Sequence, residues 1–359
     1  MKSDCQSISK SVRHLLFATA NASRNDFSSL LSDLGRVRTI FFSTDDEQTS
    51  QSFVESCISK SQFLRVLNLS ESALEVCPRK MGNLKHMRCL DLSRNYKIKK
   101  LPKSICELQS LQTLSLEGCL ELEELPKDIR YLVSLRLLVI TTKQKSLQES
   151  GIRSLGSLRC LTISGCRDLE HLFEEIDQLS VLRTLSIVRC PRLISLPPAI
   201  KYLSSLENLH LVWCESLDLN LNVEMEGEGS HHDRKNTRPR LRRVYIREIT
   251  QLSELPQWLL QCCTDSLQSL VISDCPNFMA LPGSLKDLKA LETLVIEQCP
   301  KLSLLPDDMH HVTTLKSLTI IGCPALSERC KWPTGEDWPK IAHIPQVKLD
   351  GEMIKSSDN

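Results

Sequence analysis

The sequence predicts an α/β repeat fold, in which short strand-and-return units stack side by side instead of surrounding one globular core. Three observations carry this reading. The pattern L-x-x-L-x-L-x-x-C recurs, most clearly from Leu111 (LQTLSLEGC), Leu158, Leu182, Leu206, Leu267, Leu291 and Leu315, and in weaker form from Val37, Leu64, Met87, Leu135 and Leu241. The steps between these starts are nearly constant, at 27, 23, 24, 24, 23, 24, 24, 35, 26, 24 and 24 residues. Within each unit the apolar residues first alternate and then fall three and four apart.

Each part of a unit follows from these spacings. Leu294 and Ile296 alternate with Val295 and Glu297, the two-residue period of a strand. From Leu305 to Leu315 the wider spacing suits a helical or 3₁₀ return, with Pro306 in the first turn, where a missing N–H is tolerated. A lone unit leaves its apolar faces uncovered, so neighbours must stack on it. Parallel strands pair about 4.7–4.9 Å apart while the return side spreads. The expected form is therefore a curved leucine-rich-repeat solenoid, a horseshoe with a parallel β-sheet on its concave face and irregular or short helical returns on its convex face. Residues 1–30 read as an N-terminal cap or junction. Residues 31–330 read as a repeat domain of about 12 units with a loop insertion at 220–240, and 331–359 as a C-terminal cap and tail.

The last position of the pattern accounts for much of the cysteine content. Of 16 cysteines, Cys119, Cys166, Cys190, Cys214, Cys275, Cys299 and Cys323 all stand there, and Asn95 fills it in its own unit. The position closes the strand and faces inward, where Asn bonds backbone and Cys serves as a small apolar residue with a weak S–H donor. These eight residues are predicted to form a structural closing ladder with buried, inert thiols. No C-x-x-C spacing supports a disulfide or zinc framework, and the adjacent Cys262 and Cys263 do not supply one.

Two units break the pattern. The step of 35 from Leu206 to Leu241 adds polar, mixed-charge residues at 220–240, which reads as a mobile loop. His231-His232-Asp233 within it read as solvated side chains and not a metal site; Gly227-Glu228-Gly229 is no nucleotide fingerprint. The unit from Leu135 lacks Leu-Pro and places Lys143 at the closing position, as a local kink or a tolerated variant.

Strand alternation turns the residues two, four and six places after each first Leu outward on the concave face. Most are small: Thr113 and Ser115; Cys160, Thr162 and Ser164; Thr184 and Ser186; Ser269 and Ser273. The units flanking the insertion differ, with Asn208, His210 and Val212 followed by Arg243, Tyr245 and Arg247, and with Trp213 just beyond. Aromatic and Arg side chains dominate the energetics of protein contacts. Asn208, His210, Trp213, Arg243, Tyr245 and Arg247 are therefore the candidate protein-binding surface.

The balance of 45 Lys and Arg against 44 Asp and Glu gives a net charge of +1 and no case for sequence-independent nucleic-acid binding. Residues 1–20 lack a signal-peptide core, and no 18-residue apolar run occurs, so a cytoplasmic protein without a transmembrane segment is expected. Asn21-Ala22-Ser23 and Asn68-Leu69-Ser70 then have no bearing as glycosylation tripeptides. No phosphate loop, H-E-x-x-H, G-x-S-x-G or kinase motif set is present, and no catalytic, metal or cofactor residues are assigned. Glu123-Glu124, Glu174-Glu175 and Asp307-Asp308 read as acids favouring a helix start.

The unit C-x-x-L-x-x-L-P-x-x-[IL]-x-x-L resembles the repeats of plant disease resistance proteins of the coiled-coil, nucleotide-binding class. The likeness is most specific from Gly82 to Leu138, and recurs from Arg238 to Leu260, in GEDWPKIAHIPQVKLD (Gly335 to Asp350), and in the opening SVRHLLF (Ser11 to Phe17). It covers only the C-terminal repeat region of such proteins. The resemblance implies a non-catalytic module that senses a pathogen protein or a modified host protein and regulates a nucleotide-binding switch. ADP or ATP is implied only for that switch, which this sequence does not contain, so the chain reads either as a fragment of a longer receptor or as a stand-alone truncated product. Two other classes stay open, a general intracellular scaffold or signalling adaptor and the substrate receptor of a ubiquitin ligase.

Overall fold

The computed structural model describes residues 12–18, 31–43, 51–221 and 239–356. The chain divides into two compact units, Met1–Arg167 and Asp168–Asn359. In the first, strands β1 (His14–Ala18), β2 (Thr39–Ser43), β3 (Val66–Asn68), β4 (Cys89–Asp91), β5 (Thr113–Leu116), β6 (Leu137–Ile140) and β7 (Cys160–Ser164) pair in parallel, each with the next. Register follows the repeat: Ile40, Leu67, Leu90, Leu114, Leu138 and Leu161 stand in one row. Each is buried, because every fourth-position side chain meets its counterparts above and below.

The second unit repeats the plan with β8 (Thr184–Val188), β9 (Asn208–Val212), β10 (Arg243–Arg247), β11 (Ser269–Ser273), β12 (Thr293–Glu297), β13 (Ser317–Ile321) and β14 (Gln346–Leu349), parallel in sequence. Strand β15 (Glu352–Lys355) folds back antiparallel on β14. Both units thus have the leucine-rich-repeat fold, an open and mostly parallel sheet with short helical returns. The segment 1–30 contributes β1 to the sheet, and 331–359 contributes β14 and β15.

Most returns are single 3₁₀ segments such as Lys103–Glu107, Lys127–Tyr131 and Asp307–His311; Gln51–Lys60 and Gln257–Cys263 are α-helical. Pro306 stands just before its return and not in the first turn, as do Pro102 and Pro126. There the proline ring sets φ, and its carbonyl accepts the first i→i+3 bond: Ile105 N–H donates to Pro102 O at 3.0 Å and Met309 N–H to Pro306 O at 3.1 Å.

In most repeats the turn after the strand is built on a left-handed residue immediately before the closing position. Gly118, Gly165 and Gly322 occupy it with φ of 71°, 67° and 63°, where glycine meets no Cβ penalty. Arg94, Arg189, Trp213, Glu248, Asp274 and Gln298 hold the same conformation at φ between 52° and 56°. The following residues Asn95, Cys119, Cys166, Cys190, Cys214, Cys275, Cys299 and Cys323 are all fully buried. Asn95 uses both ends of its amide, donating to Leu69 O (2.7 Å) and Leu92 O (2.8 Å) and accepting from Leu74 N–H (2.9 Å). Ser72 and Ile249 fill the position in two further repeats.

Lys143 does not close its unit. No left-handed residue precedes it, so the chain turns inward one residue early and Thr142 enters the core. Thr142 Oγ1 donates to Leu122 O at 3.2 Å, while Lys143 points out and pairs with Glu121 at 2.7 Å. The strand stack continues through this unit without a change in register.

The insertion does not interrupt the sheet either, since β9 and β10 pair over their full length, from Asn208↔Arg243 to Val212↔Arg247. Thr250 Oγ1 donates to Glu215 O (2.6 Å) and Trp258 Nε1 to Leu219 O (2.8 Å), fastening the flanking repeats together. The described ends of the insertion, Leu221 and Pro239, belong to the return segment between two strands. Residues 222–238, including Glu224, Glu226, Glu228 and His231-His232-Asp233, lie outside the described residues, as does Asn21-Ala22-Ser23.

Candidate protein-binding face

The six residues singled out in the sequence come together on β9 and β10 of the second unit, with Trp213 just after β9. Parallel register places Asn208 beside Arg243, His210 beside Tyr245, and Val212 beside Arg247. Alternation puts Leu209, Leu211, Val244 and Ile246 in the core, which leaves the other set on the open face of the sheet.

Each polar side chain is held by its neighbour across the strands. Arg243 Nη1 donates to Asn208 Oδ1 (3.4 Å), and Asn208 Nδ2 donates to Thr184 Oγ1 (3.2 Å). The His210 and Tyr245 rings meet edge to face at 6.4 Å, and Ser186 Oγ lies 3.1 Å from His210 Nδ1. Burial pushes the His210 imidazole below the usual histidine range, because the charged form loses hydration, so the ring is held neutral at pH 7.

At the end of the strands Trp213 lies under two guanidinium groups, with Arg189 Cζ 4.3 Å and Arg247 Cζ 5.7 Å from its ring centre. Arg247 Nε is 3.0 Å from Asp274 Oδ2 and 3.6 Å from Glu248 Oε1. The Nε proton is out of line for a hydrogen bond, so these contacts are ionic. Ser273, the register partner of Arg247, is buried although expected outward, and so is Ser164 in the first unit.

Arg189, Glu248 and Asp274 belong to this cluster and were not among the candidate residues. All three occupy the left-handed column together with Trp213. The sequence signal for that column is the glycine before the closing Cys at 118, 165 and 322. An alternation argument passes over it, since φ near +55° aims a side chain off the strand's two faces.

The chemistry of the face is that of contact. Among the described residues no group of three or more His, Cys, Asp or Glu is arranged to hold a metal ion, and no helix is long and apolar enough to cross a membrane. The surface offers three Arg and two aromatic side chains, prearranged on adjacent strands and the turns that follow them, with acids at one margin.

Comparison with known proteins agrees with this architecture. The family model described as "Leucine-rich repeat region" matches residues 36–275. No curated protein sequence matches the chain. Among solved structures, a leucine-rich-repeat protein of Leptospira interrogans is similar at 21% identity and a TM-score of 0.55, over 95% of this chain and 90% of that one. Toll, in the Toll–Spätzle complex of Drosophila, is similar at 14% identity and a TM-score of 0.62, over 94% of this chain and 51% of that one. At these identities the likeness shows the fold alone. With the family model spanning most of the sequence and the strand-turn-return unit repeated through both compact units, the chain belongs to the leucine-rich-repeat family.

Proposed function

We propose that this chain is a non-catalytic protein-recognition module of plant defence, which senses a pathogen protein or a modified host protein and regulates a nucleotide-binding switch. The observation that carries recognition is the Asn208–Tyr245 and Trp213–Arg247 cluster. Large aromatic and Arg groups stand there on adjacent strands, each already held by a neighbour and so losing little side-chain entropy on contact. Toll, whose fold is similar, is found bound to the protein Spätzle, which supports protein as the ligand class.

The plant-defence assignment rests on motif likeness, from Gly82 to Leu138 and from Gly335 to Asp350. In this reading the chain is cytoplasmic, takes no nucleotide itself, and meets the ADP- or ATP-binding module in cis or in trans.

The test replaces Arg243, Tyr245 and Arg247 together with Ala. Immobilised wild-type and variant chains are exposed to extracts of infected and healthy leaves, and retained proteins are identified by mass spectrometry. A protein held by the wild type and lost, by about tenfold or more, from the folded variant supports the reading. Equal retention by both removes this face from it. Retention of the same endogenous signalling proteins from both extracts favours the intracellular scaffold instead. Regulation of a switch is tested separately, by co-expressing the chain with a full-length receptor in leaves and scoring cell death.

A further inference from the structure

A second surface, in the first unit, is set by the residue directly after the first apolar position of each repeat. There the column reads Arg13, Arg38, Arg65, Arg88, Gln112, Arg136 and Arg159. Backbone bonds stack these residues one strand apart: Arg38 N–H donates to Arg13 O (2.8 Å), Arg65 to Arg38 O (2.7 Å) and Arg88 to Arg65 O (2.7 Å). Their guanidinium groups thus issue from points spaced about 4.7–4.9 Å apart. Among the described residues none of these arginines forms an ion pair with an acid.

The repeat itself does not require such a row. In the second unit the same column runs Arg183, Glu207, Arg242, Gln268, Glu292 and Lys316, and four of its five charges pair internally, Lys316 with Glu292 at 2.7 Å and Arg183 with Glu207 at 4.0 Å. Unpaired like charges one strand apart repel each other and favour an external anion.

The row also converges on a cavity. A recess of about 410 Å³ at the start of β1 to β4 is lined by Arg13, Arg36, Arg38, Phe63, Arg65 and His86, with no acid among the described residues of its wall. Arg13 Nη1 donates to Arg36 O at 3.2 Å, which brings the fourth arginine to the rim. Phe63 and His86 stack at 5.6 Å and form one wall as a flat ring surface, with Phe63 more than half exposed. Their far side faces a second recess bordered by Lys80 and Lys85.

We propose that this recess binds a compact polyphosphate, a ring-sized molecule carrying several phosphate groups, free or as a lipid headgroup. Guanidinium forks match phosphate oxygens in bidentate geometry, and the volume lies in the range of small-molecule sites, about 300–1,000 Å³. The ring pair offers an apolar face to the ligand's carbon skeleton. An extended acidic peptide fits less well, because the arginines gather within one recess and Gln112 interrupts the row beyond Arg88.

The experiment titrates the full chain with inositol hexakisphosphate by calorimetry at about 150 mM salt, where diffuse surface attraction is screened. Saturable 1:1 binding is expected, and R38Q/R65Q should weaken it by about tenfold or more. R136Q/R159Q removes the same charge from the same column outside the recess and should leave affinity within about twofold. Circular dichroism checks that both variants fold. Vesicles with and without phosphatidylinositol bisphosphate distinguish a headgroup from a free ligand. The proposal is overturned by absent saturation with both probes, by equal weakening in the two variants, or by tighter binding of an oligo-glutamate peptide.

Discussion

Arg189 lies over Trp213, its guanidinium carbon 4.3 Å from the ring centre, and both side chains leave the backbone from left-handed residues at a position that three other repeats fill with glycine. A left-handed backbone costs a residue with Cβ about 1–2 kcal/mol, and an exposed cation–π contact returns about 0.5–1 kcal/mol. The column therefore holds long side chains at positions that folding alone would assign to glycine.

Comparing two substitutions at Trp213 separates these effects. Trp213→Ala loses both guanidinium contacts and keeps the strained φ, whereas Trp213→Gly loses the contacts and releases the strain. Urea denaturation should find the Gly variant more stable than the Ala variant by about 1 kcal/mol, while both lose retention of the partner found in the leaf-extract assay. Equal stability would show that the column carries no strain.

Asn95 is the point where the closing ladder is most sensitive. Asn95→Ala leaves Leu69 O, Leu92 O and the Leu74 N–H short of partners in the core, at a cost of about 2–3 kcal/mol. Asn95→Cys should cost roughly half as much, since a thiol there can donate as Cys119 does to Leu92 O at 3.3 Å. Chemical denaturation of the two variants beside the wild type measures the order.

The thiols should divide by position. Burial pushes Cys77 up to about 12 and Cys119 up to about 11, and it also raises Cys214 and Cys323, which are raised first by the neighbouring ladder thiols Cys190 and Cys299. Cys275 is lowered by a hydrogen bond from Cys299, against the effect of burial, yet it is fully covered and no reagent reaches it. With a thiol reagent at pH 8, the half-buried Cys89, Cys160 and Cys262 should react first, and the seven ladder cysteines only on unfolding. Rapid labelling of the ladder in the folded chain would contradict this.

The C-terminal repeat is held by Asp337, which is fully buried. Its carboxylate accepts from Arg329 Nη2 (3.0 Å) and from Leu305 N–H (2.9 Å), and it lies 3.2 Å from Lys340 Nζ. Burial works to raise its pKa, but the hydrogen bonds from Arg329, Leu305 and Lys340 together outweigh it, and the carboxyl sits below the usual range. A lowered folded-state pKa means that the contribution is complete above the unfolded value, about 3.9, and is lost as pH falls through the lower folded value. Asp337→Ala should cost about 1–3 kcal/mol, because the buried Leu305 N–H loses its acceptor while Arg329 keeps Glu336 and Lys340 keeps Asp307. Hydrogen exchange in β13 to β15 should show that loss locally, and acid titration of the wild type should show fraying of the same strands below about pH 4.

The places where sequence and structure part share one cause. Which of Thr142 and Lys143 enters the core depends on whether a left-handed residue precedes the closing position, and the neutral hydroxyl is the cheaper of the two to bury; hydrophobic spacing does not report that dihedral. Ser273 alternates outward in sequence yet is buried, its hydroxyl donating to Asp274 Oδ2 at 2.6 Å. Strand β1 shares the arginine column with later repeats, although only Val12-Arg13-His14-Leu15 of its pattern is regular.

From the sequence by itself came the repeat, the strand in each unit, the inward column that ends in Asn or Cys, and the two strands bearing Asn208, His210, Arg243, Tyr245 and Arg247. These are local and periodic properties, written in the spacing of apolar residues along one chain. Tertiary structure alone decided that Trp213 meets Arg189 and Arg247, that Asp337 is enclosed by Arg329 and Lys340, and that Arg13, Arg38 and Arg65 converge on one recess with Phe63 and His86. The physical reason is that parallel stacking sets residues some 24 positions apart about 4.8 Å from each other, so a column's charge and chemistry exist only once the strands are in register.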